Sequence, residues 1–271
     1  MSIEDEELQL FLNDLIDRYG YDFTEYSVAS LKRRVDLFMV RDHVPDIKVL
    51  RSLVLRDPEY FRHLVEEMTV NVTEMLRDPL FYKAIREEVI PVLATYPFIR
   101  IWHAGCSTGE EVYSMAILLK EAGILQKCRL YATDINPDVI EKARNGIFLA
   151  SQMRKYSENY IQSGGKNDFS SYYTANYNLA KFNEGLSEKM TFATHNLAVD
   201  SSFNEFQLIL CRNTLIYFNK NLQSRVLELF DQSLELLGFL ALGPKESLRF
   251  SSIESKFRQT VTEQKIWRKV K

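Results

Sequence analysis

The sequence predicts an α/β fold with a mostly parallel, seven-stranded sheet, preceded by an N-terminal helical domain. From about residue 98 onward, short apolar segments alternate with segments of helical periodicity, as in parallel strands joined by crossover helices. Residues 1–70 instead carry apolar residues at helical spacing with little strand signal, which indicates a small helical bundle. An apolar fraction of 46% in 271 residues is sufficient for a well-buried core.

Four helices account for the N-terminal domain. Each has an apolar stripe, and the last begins at Asp57-Pro58, a capping residue followed by proline at the first helical position. The stripes begin at Leu8, Val28, Ile47 and Phe61 and end at Tyr19, Met39, Val54 and Met68. We expect residues 71–97 to form a linker and a helix, and residues 98–271 to form the α/β domain.

The α/β domain contains one interruption of its strand and helix alternation. Residues 150–187 are polar and rich in tyrosine, which favours an inserted small antiparallel β element or a flexible loop. A helix is predicted in 134–146, with Asn136 as its cap and Gly146 past its end. The predicted strands are 100–104, 129–133, 190–194, 207–211, 238–242, 257–262 and 265–270.

Composition excludes several classes of protein. No run approaches the roughly 18–20 apolar residues of a membrane span, and the N-terminus is acidic rather than basic, so we expect a cytoplasmic protein without membrane insertion. The three cysteines form no Cys-x-x-Cys or Cys/His pair, so neither a disulfide framework nor a metal site is predicted. A net charge of −3 argues against a general nucleic-acid binder. A monomer is the default expectation.

A small-residue turn, HAGCSTGEE (103–111), follows the first predicted strand. Ligands of open parallel sheets bind beyond the carboxyl ends of the strands, where such a turn lets the backbone approach a nucleotide. Only Gly105 and Gly109 are present, and many α/β proteins with two such glycines bind nothing there. Asp134 ends the second strand, where a carboxylate can accept both hydroxyls of a ribose; alternatively, it only caps the next helix.

Glu110 and Glu111 restrict the ligand further. Two carboxylates would repel a pyrophosphate and would favour a ligand that carries positive charge. S-adenosylmethionine has this character, because it combines adenosine with a sulfonium and an ammonium and has no phosphate. The alternative is that both glutamates are ordinary first-turn residues favoured by the helix dipole.

Six segments, in order through nearly the whole chain, together resemble the CheR-type chemoreceptor glutamate O-methyltransferases. The resemblance implies a Rossmann-like S-adenosylmethionine methyltransferase domain with an inserted β-subdomain, and transfer of methyl groups to glutamate side chains on cytoplasmic receptor helices, leaving S-adenosylhomocysteine. The segments are NVTEMLRDP (71–79), WHAGCSTGEEVYSMA (102–116), YATDINPDVIEKARNGIF (131–148), HNL (195–197), CRNTLIYF (211–218) and GPKESL (243–248).

The resemblance also implies roles for individual residues. Glu111 matches the acid near the methionyl amine, Asp134 the ribose-binding acid, and Tyr217 the tyrosine associated with the reaction site. The predicted reaction centre is Tyr217 with Arg212. The predicted cofactor-binding residues are Asn71, Thr73, Arg77, Gly105, Glu111, Asp134, Asn196, Leu197, Arg212 and Asn213. Simpler interpretations remain, in which Arg77 is a surface ion-pair partner, Asn196 a turn former and Tyr217 a packed aromatic.

The chain departs from the family pattern at several places. Met75 and Leu76 replace paired aromatics, Lys245 replaces a small polar residue, and residues 91–99 lack an arginine found in relatives. These departures motivate an alternative, the same carboxyl methylation on a different signalling protein. A second alternative is a catalytically silent, cofactor-binding regulatory module, against which the retained polar residues count.

Methylation of a carboxylate needs no general base, because a glutamate with a pKa of about 4.3 is ionised near neutrality. Accordingly, none of the four histidines lies in a base or metal constellation in the sequence, and the expected role of Tyr217 is to orient the acceptor. The basic residues Lys32, Arg33, Arg34 and Arg41 could dock glutamate-rich receptor helices or form an ordinary solvated face. The insertion could pair with a receptor tail.

Overall fold

A computed structural model describes residues 3–69 and 73–271. The chain divides into two compact units. The helical unit comprises Met1–Asn71 and Leu215–Val226, and the sheet unit comprises Val72–Thr214 and Leu227–Lys271. Residues 215–226 thus group with the N-terminal helices by their contacts, and the predicted domain bounds stay predictions.

The helical unit contains four helices from the N-terminal region. They are α1 (Asp5–Tyr19), α2 (Val28–Arg41), α3 (Ile47–Arg56) and α4 (Pro58–Met68). The Asp46 carboxylate caps α3 by accepting the backbone N–H of Lys48 and Val49, and Asp57 caps α4 in the same way through Glu59. These caps satisfy helix-end donors that the backbone leaves unpaired.

Segment 215–226 joins the helical unit through backbone hydrogen bonds. The Ser27 N–H donates to the Tyr217 carbonyl, and the Asn219 N–H donates to the Glu25 carbonyl, each at 2.8 Å. Tyr26 and Phe218 form an isolated antiparallel bridge. The partners are nearly 200 positions apart in the sequence, so no local pattern predicts their pairing.

The sheet unit is built on one seven-stranded sheet of order β6-β2-β1-β7-β8-β10-β9. The first four pairings are parallel, and β10 pairs antiparallel with both β8 and β9. The predicted fold class, a mostly parallel seven-stranded sheet, is confirmed. The strands are β1 (Ile99–Ala104), β2 (Cys128–Asp134), β6 (Met190–Thr194), β7 (Phe206–Cys211), β8 (Leu234–Leu242), β9 (Phe257–Val261) and β10 (Ile266–Lys269).

Helices pack on both faces of this sheet. On one face, Ile99 and Ile101 of β1 join a fully buried cluster with apolar residues of the helix that follows. On the other face, the Trp102 ring contacts Phe206 and Phe230. The helices are α5 (Pro79–Ala84), which continues through a π-helical turn (Ile85–Val89) into α6 (Ile90–Leu93), α7 (Glu110–Glu121), α8 (Pro137–Asn145), α9 (Met153–Gln162), α10 (Glu184–Ser187) and α11 (Lys220–Ser233).

The insertion is an ordered small sheet, not a flexible loop. Strands β3 (Ile147–Leu149), β5 (Leu179–Phe182) and β4 (Tyr173–Asn176) pair antiparallel in the order β3-β5-β4. The first strand begins before residue 150, and the insertion includes α9, a helix that we did not predict. Among the described helices, none has the length and apolar character needed to cross a membrane.

Candidate functional site

The turn after β1 depends on its two glycines. Gly105 has φ +80°, and a Cβ on it would collide with the Thr214 hydroxyl. Gly109 has φ +97°, and its Cβ would lie 2.9 Å from Ala143 Cβ. Any larger residue would therefore be strained in its backbone and would displace its neighbour. The turn lies at the carboxyl ends of the central strands, where β1 has β2 and β7 as its neighbours.

Asp134 connects this turn to the one after β2. Its carboxylate accepts the Ser107 N–H at 2.9 Å and the Asn136 N–H at 3.1 Å. Burial raises the pKa of Asp134, and the backbone hydrogen bonds act in the opposite direction. The Asn136 side chain caps α8 through the Asp138 N–H, so capping does not account for Asp134. A carboxylate has about four acceptor sites, and the backbone N–H groups of Ser107, Asn136 and Ile135 occupy three of them, which leaves capacity for a ligand hydroxyl.

Glu110 and Glu111 occupy different environments at the start of α7. The Glu111 carboxylate lies 2.9 Å from His103 Nδ1 and 3.7 Å from Arg212 Nη1. Burial raises the pKa of Glu111, but the hydrogen bond and charge of His103, together with Arg212, outweigh it and hold that pKa below its usual value. Burial raises the pKa of Glu110, which accepts from the Thr108 hydroxyl at 2.6 Å. Glu111 is therefore the carboxylate directed to the predicted site.

The Arg212 guanidinium is almost fully buried, with its side chain 4% exposed. It stacks on the Phe81 ring at 4.0 Å, and its Nη2 lies 2.6 Å from the Asp78 carboxylate. Its Nη1 donates weakly to the Arg77 carbonyl, at 3.4 Å. Its Nε is buried and has no hydrogen-bond partner among the described residues. Because an unpaired buried donor is costly, this N–H points to a ligand that supplies an acceptor.

The segment before α5 is fixed to two helices. The Leu76 N–H donates to Ser114 of α7 at 2.9 Å, and Asn159 of α9 donates to the Met75 carbonyl at 3.0 Å. Met75 and Leu76 are fully buried, so these two departures from the family pattern fill the core. Leu76 and Asp78 have positive φ values of 52° and 58°, a conformation that non-glycine residues adopt mainly at constrained sites.

Three of the predicted cofactor-binding residues belong to this part of the sequence. Arg77 lies between the two positive-φ residues and is half-buried, as is Thr73. Asn71 lies outside the described residues. Their cofactor contacts stay predictions.

Glu246 fixes the loop after β7, and sequence reasoning missed it. Its carboxylate accepts the backbone N–H groups of Asn213 (3.1 Å), Thr214 (2.9 Å) and Gly243 (2.6 Å). Asn213 has φ 61°. The available signal was an acidic residue four positions after a strongly apolar strand, next to Lys245, which is exposed.

The turn after β6 carries the predicted adenine contact. Asn196 Oδ1 accepts the Ala198 N–H at 2.9 Å, and the Asn196 N–H donates to Asp200 at 2.7 Å. The side chain thus has the turn-forming role considered as an alternative, and Leu197 is half-buried. A contact of this turn with adenine stays a prediction.

Tyr217 lies in the helical unit, where Arg34 holds it. The Arg34 guanidinium lies 4.8 Å from the Tyr217 ring centroid and hydrogen-bonds its side chain. Arg34 also donates to the Met68 carbonyl at 2.9 Å and is 8% exposed. We expected Arg34 on an exposed docking face; the buried side chain instead makes these internal contacts, so we withdraw that role.

The other three basic residues differ in their surroundings. Lys32 forms an ion pair with Asp5 at 2.7 Å, and Arg41 pairs with Glu67 and Asp42. Arg33 is exposed. The docking prediction is therefore restricted to Lys32, Arg33 and Arg41.

A pocket of about 360 Å³ opens beside Arg212 in the sheet unit. Its lining surface is mostly apolar and includes acidic, amide and arginine side chains. The lining residues are Asp78, Pro79, Leu80, Phe81, Gln162, Arg212, Leu242, Pro244, Glu263 and Gln264. Within the described residues, no group of three or more His, Cys, Asp or Glu side chains is arranged to hold a metal ion.

The residues at this edge of the sheet fit S-adenosylmethionine. Glu111 suits an ammonium group, and Asp134 suits ribose hydroxyls. The Ser107 hydroxyl and Arg212 Nε are buried without partners among the described residues, so both can pair with polar ligand atoms. The fold and this donor and acceptor set define the class of S-adenosylmethionine-dependent methyltransferases.

Comparison with known proteins identifies the family. Residues 71–266 match the model described as CheR methyltransferase, SAM binding domain, and residues 6–69 match CheR methyltransferase, all-alpha domain. The chain belongs to the CheR methyltransferase family, which confirms the resemblance seen in the sequence.

Named relatives cover nearly the whole chain. A Pseudomonas putida protein named "Putative methyltransferase Cher3" is 49% identical over 265 residues, 98% of this chain and 97% of that protein. The Vibrio cholerae chemotaxis protein methyltransferase 1 is 28% identical over 270 residues, 92% of this chain and 91% of that protein. The Listeria monocytogenes chemotaxis protein methyltransferase is 26% identical over 246 residues, 90% and 91% respectively.

Proposed function

We propose that the protein transfers a methyl group from S-adenosylmethionine to glutamate side chains on the cytoplasmic helices of chemotaxis receptors, forming methyl esters. The observation that carries the proposal is the buried Arg212 guanidinium, which lines an open pocket, has an Nε–H without a partner among the described residues and has its Nη1 3.7 Å from Glu111. The names of the relatives, chemotaxis protein methyltransferases, support the choice of substrate.

When bound, S-adenosylmethionine supplies an electrophilic methyl group on a sulfonium. In the proposed reaction a carboxylate oxygen of the acceptor forms the new C–O bond while the S–CH₃ bond breaks and sulfur keeps the electron pair. The acceptor glutamate is already ionised near neutrality, so no proton has to be removed. The task of the protein is then to desolvate and align the two reactants.

Arg212 and Tyr217 are the residues that we assign to the acceptor. An Arg N–H can bond a carboxylate oxygen with charge assistance, and Arg212 Nε is such a donor. Stacking on Phe81 and pairing with Asp78 fix the plane of the guanidinium. The Tyr217 hydroxyl, held by Arg34, would orient the acceptor without abstracting a proton.

Asp134 and Glu111 are the residues that we assign to S-adenosylmethionine. Asp134 would accept the ribose hydroxyls and Glu111 the amine, with Asn196-Leu197 at the adenine side. Gly105 and Asn213 shape the turns between them, because Gly105 lies against Thr214 and Asn213 is held by Glu246.

Two surfaces support recognition of a receptor. Arg33 and Leu37 are exposed on α2, where basic and apolar groups together suit an amphipathic, glutamate-rich helix. The small sheet offers β4 as an edge strand, and residues 174–176 of it are exposed. Such an edge can add a peptide strand, as we propose for a receptor tail.

The test is transfer of radiolabelled methyl to membranes that contain chemoreceptors, scored as methanol released by alkali. Release by the wild type and its loss in Asp134→Ala would support a carboxyl methyl ester made at this site. Label on another protein, and none on receptors, would show that the substrate is a different signalling protein. Cofactor binding without any label in a whole-cell extract would contradict an enzymatic role.

A further inference from the structure

His103 is a polar residue at a core position of the central strand. On β1, Ile99, Ile101 and His103 alternate with residues of the opposite face, and all three are fully buried. The two isoleucines pack in the apolar cluster with α7. His103 occupies the third position of this row, next to the turn, where a further apolar side chain would satisfy packing alone.

Within the part of the chain that the structure describes, the ring makes one polar contact. His103 Nδ1 lies 2.9 Å from Glu111 Oε1, and because a carboxylate only accepts, this contact requires the hydrogen on Nδ1. His103 Nε2 is buried and has no partner among the described residues. The contact with Glu111 is thus the polar interaction that the described residues provide for this buried imidazole.

His103 is also the group that fixes the direction of the Glu111 carboxylate. The other charged neighbour, Arg212 Nη1, lies 3.7 Å from Glu111 Oε2, which is beyond the length of a hydrogen bond. Arg212 therefore acts on the carboxylate through a longer and weaker contact than His103 does. The bond from Nδ1, by contrast, is within ordinary hydrogen-bond length and directional.

We propose that His103 is a positioning residue for cofactor binding, which holds the Glu111 carboxylate toward the amine of S-adenosylmethionine. This rests on the proposed role of Glu111 at that amine. A carboxylate that is already oriented loses less freedom when the ligand binds, and such preorganisation increases affinity.

Two amide substitutions separate the hydrogen bond from the packing. The side-chain nitrogen of His103→Asn reaches the place of Nδ1, and that of His103→Gln reaches the place of Nε2. We expect His103→Asn to bind S-adenosylhomocysteine within about threefold of the wild type in isothermal titration calorimetry. We expect His103→Gln to bind at least about tenfold more weakly, the scale of one lost charge-assisted hydrogen bond.

A second ligand distinguishes positioning from a structural defect. 5′-Methylthioadenosine keeps the nucleoside and lacks the amino acid portion, so both variants should bind it within about twofold of the wild type. An equal loss of affinity for both ligands, or equal behaviour of the Asn and Gln variants, would overturn the proposal. If His103→Gln does not fold, His103→Ala removes the ring without inserting a longer chain and takes its place.

Glu111→Gln separates this inference from the proposed function. It should weaken the binding of S-adenosylhomocysteine and leave the binding of 5′-methylthioadenosine unchanged. Adding His103→Gln to Glu111→Gln should weaken binding little further, because His103 acts through the carboxylate. If Glu111→Gln behaves so and His103→Gln has no effect, only the positioning role fails. If Glu111→Gln also leaves S-adenosylhomocysteine affinity unchanged, the proposed role of Glu111 fails as well.

Discussion

Substitution of Arg34 on α2 should lower the stability of the protein, whereas substitution of the adjacent Arg33 should leave it almost unchanged. Arg34 is 8% exposed and donates to the Met68 carbonyl at 2.9 Å. Leaving that carbonyl without its partner costs about 1–3 kcal/mol, and losing the cation–π contact with Tyr217 costs about 0.5–2 kcal/mol. We therefore expect Arg34→Met to lower the free energy of unfolding by about 2–4 kcal/mol.

Arg33→Met is the matched control for this loss of stability. Arg33 is exposed, and surface substitutions change stability by about 0.5 kcal/mol or less. At about 2–4 °C per kcal/mol, thermal unfolding followed by circular dichroism should give a Tm lower by roughly 4–16 °C for Arg34→Met and little changed for Arg33→Met. Equal Tm values for the two variants would refute the internal role of Arg34.

Arg33 also allows a test of receptor docking. Charge reversal in Arg33→Glu should raise the KM for receptor several-fold and leave the affinity for S-adenosylhomocysteine unchanged, because the attraction between α2 and an acidic helix is lost. Arg56→Glu, an exposed charge reversal on α3, is the control. If both reversals raise KM equally, the effect is one of net charge and the docking face on α2 is refuted.

Three further substitutions test the site. Asp134→Ala should weaken the binding of S-adenosylhomocysteine at least about tenfold in calorimetry. In the wild type, ribose hydroxyls should bind the ionised carboxyl, and burial raises the pKa of Asp134, so the affinity should fall on acidification at a higher pH than an ordinary aspartate would give. An affinity that does not change with pH would argue against this role. Tyr217→Phe should lower kcat more than cofactor affinity, and unchanged initial rates would remove Tyr217 from the reaction centre. Glu246→Gln removes a charged acceptor of three backbone N–H groups and should lower both Tm and kcat, whereas an unaffected Tm would show that the loop holds without it.

The central strands were predicted well because β1 and β7 are almost continuous runs of buried residues. Buried strands of this kind need no long-range information to be recognised, and predicted and observed bounds for β1, β2, β6 and β7 differ by at most one residue at either end. Helix α9 was missed because its sequence is polar. Its buried residues Met153, Tyr156, Asn159 and Tyr160 nevertheless follow helical spacing, so the signal was present.

The placement of residues 215–226 in the helical unit could not be predicted. It depends on backbone hydrogen bonds from Ser27 to Tyr217 and from Asn219 to Glu25, which leave no trace in residue type. The burial of Arg34 could have been predicted. Leu31, Arg34, Val35 and Phe38 are one helical face at i, i+3, i+4 and i+7, and a charged residue on an apolar face is informative.

The two acidic residues at the start of α7 show why residue type alone defines a site incompletely. The charge argument from the sequence took Glu110 and Glu111 together, and only the family resemblance singled out Glu111; in the structure, burial raises the pKa of Glu110 while His103 and Arg212 hold that of Glu111 down. Consecutive helical residues point about 100° apart, so adjacent carboxylates meet different neighbours. The acid whose pKa is lowered is the one facing a histidine on β1 and an arginine after β7. The negative charge that we propose to bind the cofactor amine thus depends on three segments of the chain, namely α7, β1 and the loop after β7.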